Sequence, residues 1–246
     1  MSRRSAILLT KTAFDIPRDG GTLRVAAVAH QLSEQLGVEV HSVAVEEITS
    51  RTRRDHRVSI LRILWANLRV LGRFARMGSI SSVRWYRPRV VREIVEIQEG
   101  TNPELRLIEY SQLLGYRPIF AGPVVLDMHN IEAELMRNFA SSAVGPKSWV
   151  ARYEAWRLRA LEKSVGERAD LVVVVSDHDR DELQSLVGSS APLPVVVAPN
   201  GVGDAGFELD AERADEVVFV AHLGWAPNVA AALWLVVRPR TVPPIQ

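Results

Sequence analysis

No cysteine occurs among the 246 residues. Disulfides and thiolate metal ligands are therefore excluded, which permits a reducing compartment without establishing one; the expected location is the cytoplasm. Lysine is scarce as well, with arginine outnumbering it 27 to 3. No apolar run reaches the roughly 18–20 residues that cross a bilayer. The short run at Ser5–Thr10 is too brief for a signal-peptide core and reads as a first strand. The dinucleotide fingerprint G-x-G-x-x-G is missing, which argues against a nucleotide-binding oxidoreductase. So is the G-x-S-x-G turn, and nothing else in the chain looks like an activated nucleophile.

What is present is an ordinary globular composition, 47% hydrophobic and 24% charged, with a net charge of +1. The charge is unevenly placed. Residues 51–92 hold twelve arginines against one acid, Asp55. Within them, 57–77 reads as a long helix with Arg62, Arg69, Arg73 and Arg76 on one stripe. Ile60, Leu61, Leu64, Leu68 and Leu71 cover the other side. Two readings stay open for this helix. It is either a membrane-surface helix or partner face, or a covering helix with a solvated arginine face. Nucleic acid is not expected as a partner, because no stacking platform accompanies the basic stretch.

The remaining periodicity alternates strand and helix. Strands are expected at Ser5–Thr10, Val38–Val45, Leu105–Tyr110, Val124–Met128, Leu171–Val175, Val195–Ala198 and Val217–Ala221. Helices are expected from Leu23 to Leu36, and over 84–98, 132–140, 148–168, 177–186 and 228–237. This is the pattern of a doubly wound parallel α/β sheet, Rossmann-like, followed by the first strand and helix of a second domain. The expected domains are 1–203 and 215–237, with 238–246 an irregular tail broken by Pro239, Pro243 and Pro244.

Ligands of such sheets bind beyond the carboxyl ends of the strands. Gly20 and Gly21 open the first helix, where glycine permits close backbone approach and free N–H groups favour anions. The bland alternative is a tight turn with no ligand. His129, just past a buried strand, is either a donor to a sugar hydroxyl or developing charge, or a sheet-edge histidine held by its neighbours. Asn130 is placed to cap the next helix, and Ser176 to cap the one after. The acids and histidine among Glu132, Glu134 and 177–181 match no metal-ligand spacing, and no metal is expected.

Five blocks in order resemble the retaining nucleotide-sugar glycosyltransferases of the GT-B fold, group 1 or family 4. They are Gly20-Gly21-x-x-Arg24, VVLDMHNIEAE at 124–134, ADLVVVVSDHDRDEL at 169–183, VVVAPNGV at 195–202 and VVFVAHLGWAPN at 217–228. The resemblance implies an amino-terminal acceptor-binding domain with His129 as the catalytic-centre histidine near the transferred sugar. Gly20, Gly21, Arg24, Asn130, Ser176, Asn200, Gly201 and Gly224 would line the donor cleft. It implies sugar transfer with retention from a nucleotide sugar, as co-substrate, to a glycan or lipid-linked acceptor, with no metal or other cofactor. The chain departs from the family at Ala221, usually glycine, and at Gly203, often acidic. The family's basic pair and paired glutamates, which hold the donor, would lie beyond Gln246. A weak or inactive fragment is therefore expected. The alternative is a non-catalytic acceptor- or membrane-binding subunit that docks a separate donor-binding subunit, at the inner face of the membrane.

Overall fold

A computed structural model describes residues 4–16, 19–46, 59–188, 193–201, 218–221, 223 and 226–237. The chain divides into two compact units, Met1–Asn200 and Gly201–Gln246. The first unit is an α/β layer structure around one parallel sheet. Its strands are β1 (Ser5–Thr12), β2 (Glu39–Glu46), β3 (Leu105–Glu109), β4 (Val125–Met128), β5 (Leu171–Val174) and β6 (Val195–Val197). The order is β2-β1-β3-β4-β5-β6, and every pairing is parallel.

Parallel strands need crossovers, so helices fall between them. These are α1 (Gly20–His30), α2 (Ile60–Met77), α3 (Ile80–Val83), α4 (Pro88–Thr101), α5 (Glu132–Ser142), α6 (Pro146–Lys163) and α7 (Asp177–Val187). A sheet covered on both faces reads as continuous apolar runs, and β1 shows it. Ile7 and Leu9 enter the main core with Val70 and Phe74 of α2, Ile94 of α4 and Leu158 of α6. Leu8, between them, packs on the opposite face with Leu107 and with Val25 of α1.

Two local differences from the periodicity have physical causes. The helix expected over 84–98 is α4 and starts only at residue 88, because Pro88 opens it where its missing N–H costs nothing. A 3₁₀ stretch, Ser111–Ile119, appears where no element was expected. It buries Leu113, Leu114 and Tyr116 completely. Gly115 is required there, since a Cβ would lie 2.4 Å from the Phe74 ring.

Two buried glutamates of α6 join the helices. Glu154 accepts from Ser79 Oγ at 2.6 Å, Ile80 N at 2.7 Å, Ser81 N at 2.9 Å and also from Ser81 Oγ. It thereby caps α3 from outside. Burial works against its charge, but these bonds outweigh burial and hold the carboxyl below its ordinary range. Glu162, fully buried, accepts from Glu132 N at 2.7 Å and so caps α5. Asn130, expected in that role, is exposed and makes no capping bond; the Glu162 carboxyl from α6 occupies the helix start.

The second unit contains α8 (Ala226–Val237), close to the helix expected at 228–237. Residues 218–221 carry no strand, against the expectation for 217–221, and Val217 lies outside the described residues. Leu233, Trp234 and Val236 of α8 are exposed. Among the described residues no helix is long and apolar enough to cross a membrane.

Burial pushes the Glu162 carboxyl up to about 8 from an ordinary 4.5, the α5 N–H bonds countering only in part. The folded chain thus keeps a proton that the unfolded chain has released between those values. Its contribution to stability is complete below that window and is lost as pH rises through it. The thermal midpoint of the wild-type chain is expected to fall between pH 5 and 8 more steeply than that of Glu162→Gln. Parallel midpoint–pH curves for the two proteins would refute this assignment.

Candidate functional site

The sheet has one place where the strand order reverses, between β1 and β3. At that switch point the chain leaves in opposite directions and a crevice opens beyond the strand ends. The ends of β1, β3 and β4 deliver Lys11, Glu109 with Tyr110, and Asp127 with His129 to this one edge. Glycines 20 and 21 of α1 stand over it. The 198–200 segment after β6 reaches it through Arg24.

Arg24 of α1 organises the edge. Its Nε donates to Asp127 Oδ2 at 2.9 Å and its Nη2 to Asp127 Oδ1 at 2.9 Å, a bidentate fork. Its Nη1 donates to the Ala198 carbonyl at 2.7 Å and to Asn200 Oδ1 at 3.2 Å. The side chains of both ionic partners are nearly out of solvent, at 8% and 3% exposure. Arg24 and Asn200, both expected at a donor cleft, are therefore joined to each other. Every guanidinium nitrogen already has an acceptor within the unit.

Beside this fork, His129 Nε2 lies 2.7 Å from Glu109 Oε2. Glu109 is wholly buried, and its Oε1 has no hydrogen-bond partner among the described residues. Burial raises its pKa, the Asp127 charge adds to this, and the bonded imidazole counters it. Glu109 thus keeps a proton to higher pH than a solvated carboxyl. The pairing leaves Nδ1 of His129 as the ring atom turned to the first turn of α1, where a Cβ on Gly21 would lie 3.4 Å from it. Chemically, the pair can pass one proton. Loss of a proton from Nδ1 is made good at Nε2 from Glu109, and the reverse sequence takes a proton up.

Tyr110 fixes the ring of His129. The two ring centroids are 4.1 Å apart. On its other side, Lys11 Nζ sits 3.9 Å from the Tyr110 centroid and 5.6 Å from that of Trp85. Lys11 also faces Glu132 Oε1 at 3.7 Å. Burial lowers the Lys11 pKa, and Glu132 offsets part of that. Tyr110 has φ 72° and ψ 135°, a region that side chains rarely enter. Such a conformation costs about 1–3 kcal/mol and persists only where the surroundings over-determine it. Here the rings and charges on both sides do so. Burial first, then the nearby carboxylates, raises the phenol's pKa well above its ordinary value.

The two glycines divide their work. A Cβ on Gly21 would lie 2.6 Å from the Tyr110 hydroxyl, so this glycine admits Tyr110 rather than a ligand. Among the described residues, nothing lies within 4 Å of the Gly20 Cβ position. Asp19 caps the helix, accepting from Thr22 N at 2.8 Å while Thr22 Oγ1 accepts from Asp19 N at 3.1 Å. An anion at this helix start would therefore meet the Asp19 carboxylate.

Other expected residues lie apart from this cluster or outside it. Ser176 is the N-cap of α7, accepting from Asp179 N at 3.1 Å. Gly201 begins the second unit, and Gly224 lies outside the described residues. His178 is exposed and, among the described residues, meets Glu134 at 3.3 Å. Glu109, Asp127 and His129 bring three ligand-type atoms within 4.8 Å of one another. Both oxygens of Asp127 also accept from Arg24, so a cation there would lie beside a guanidinium. Glu109, Tyr110 and Lys11 had no sequence signal beyond position. All three stand at the carboxyl ends of strands, which is where they could have been sought.

Compared with known proteins, the chain matches no family model and no curated protein.

Replacing Arg24 by Lys keeps one charge but breaks the fork. It is expected to cost about 2–4 kcal/mol, since it leaves part of a buried carboxylate uncompensated; urea unfolding measures this. The glycines provide a paired test. Gly21→Ala is expected to destabilise by about 1–3 kcal/mol, through overpacking against Tyr110. Gly20→Ala should be neutral or stabilising by up to ~1 kcal/mol. Equal effects at 20 and 21 would contradict the packing described.

Proposed function

We propose that the first unit is the acceptor-side half of a nucleotide-sugar glycosyltransferase of the GT-B type, acting on a glycan or glycolipid. The observation that carries this is the polar edge at the switch point, in which Arg24–Asp127, His129–Glu109 and Lys11–Glu132 are mutually matched. A site of this kind offers carboxylate acceptors, an imidazole and aromatic faces. Those are the partners of sugar hydroxyls and of a pyranose ring, which needs many oriented hydrogen bonds and little net charge. His129 is the group proposed to meet the reacting sugar, with Glu109 governing its proton. Transfer would proceed through an oxocarbenium-like state, with charge stabilised by oriented donors and no metal.

One observation favours the subunit reading within the same proposal. Each described cation at this edge already has a carboxylate partner, and Asp19 guards the helix start. A diphosphate leaving group therefore finds its counter-charge elsewhere than in the first unit. On this reading the first unit recognises the acceptor, and a donor-binding domain or separate subunit supplies the phosphate contacts.

Saturation-transfer NMR on the full chain separates these elements. Oligosaccharides are expected to receive magnetisation, and His129→Ala and Tyr110→Ala should weaken their binding about tenfold, the scale of one or two lost hydrogen bonds. Uridine and guanosine diphosphates should bind weakly or not at all. Micromolar binding of a dinucleotide with no saccharide response would overturn the proposal in favour of an oxidoreductase.

A further inference from the structure

The α2 helix has three faces rather than two. Ala66, Val70, Phe74 and Met77 are buried against the unit. Ile60, Leu61, Leu64, Trp65, Leu68 and Leu71 are exposed, four of them by two-thirds or more of their surface. At 100° per residue the centres of these two faces lie roughly 150° apart. The apolar stripe therefore points away from the domain. Arg62, Arg69, Arg73 and Arg76 occupy the arc between them. Arg62 pairs with Glu99, whereas Arg69, Arg73 and Arg76 have no carboxylate partner among the described residues. No acid occurs anywhere from residue 59 to 92.

A second exposed apolar group adjoins the carboxyl end of this helix. Tyr153 of α6 donates to the Gly78 carbonyl at 2.9 Å, and Arg157 donates to the Met77 carbonyl at 2.8 Å through Nε. These bonds fix α6 beside the end of α2. From there α6 exposes Trp149, Tyr153 and Trp156 at helical spacing, with Lys147, Arg152 and Arg159 exposed on the same helix. Exposed aromatics bordered by arginine suit the boundary between headgroups and acyl chains.

We propose that this surface seats the protein on an anionic lipid bilayer. The apolar stripe of α2 enters the interface, the arginine arc lies along the headgroups, and the tryptophans of α6 anchor its flank. Charge selects this occupant over a second copy. A like copy would bring its own acid-free arginine arc against this one, whereas an anionic headgroup layer neutralises it. The inference stands apart from the reading of the site at the switch point.

Flotation of the full chain with vesicles tests it, using phosphatidylcholine alone and phosphatidylcholine with phosphatidylglycerol. Binding is expected to the anionic vesicles, weakening with salt. The L64E/L68E double variant alters exposed positions only, and it should abolish flotation while keeping the wild-type circular dichroism. R69Q/R73Q should lower partitioning roughly thirtyfold, at about 1 kcal/mol per basic side chain near an anionic surface. No flotation of the wild-type chain overturns the proposal. So does a dimer in sedimentation that L64E/L68E dissociates without vesicle binding, which would make a second copy the occupant. So does flotation that survives L64E/L68E but is lost in L233E/V236E, which would place the lipid surface on α8.

Discussion

The bidentate bond between Arg24 and Asp127 sets the geometry on which the rest of the site depends. It joins the first turns of α1 to the end of β4, and through Nη1 it holds the Ala198 carbonyl and Asn200 as well. Elements more than a hundred residues apart in sequence meet at one planar group. A buried ion pair repays its desolvation only when the geometry is good and the remaining donors are satisfied. Both conditions hold here, since three guanidinium nitrogens have acceptors within 3.2 Å. Within the fork the Asp127 charge raises the Glu109 pKa and the Arg24 charge lowers it.

The site that results is polar but internally balanced. A phosphate site built on a helix start needs free N–H groups and unmatched positive charge. Asp19 at the α1 cap supplies the opposite sign, and Lys11 and Arg24 are already matched to Glu132 and Asp127. Balance of this kind suits recognition by many weak directional bonds, in which a wrong partner leaves buried polar groups unpaired. The strained backbone of Tyr110 belongs to the same arrangement. At its positive φ the Tyr110 ring contacts both Lys11 and His129.

The repeating elements of the first unit could be read from the chain because each of them is decided locally. Runs such as LVVV at 171–174 and VLDM at 125–128 are buried parallel strands, and the strand ends match the expected ones to within one or two residues. Ser176 caps its helix as its type and position suggested. What the sequence did not display depends on contacts across distance. Glu154 and Glu162 look like solvent-facing acids of a charged helix, yet each is buried and caps another helix. The 3₁₀ stretch at Ser111–Ile119 has neither the helical nor the strand period, and its glycine and proline imitate a loop. Glu109 and Lys11 are single residues at strand ends, and only the order of the sheet makes them neighbours of His129.

The α2 helix shows why periodicity finds an apolar face without saying what covers it. The sequence offers two apolar sets on this helix. The larger and more hydrophobic one, Ile60 to Leu71, is the natural choice for the core. The domain instead packs on Ala66, Val70, Phe74 and Met77. Size explains the choice. Phe74 must lie against Gly115 and Tyr116, in ring contact at 5.1 Å with the latter, and this contact fixes the rotation of the helix. Once Phe74 is seated, Leu64, Trp65 and Leu68 have no place but outside. An apolar stripe exposed by the packing of a different face costs solubility and gains nothing for the fold. Its persistence beside an acid-free arginine arc is intelligible as a surface shaped for something other than the core.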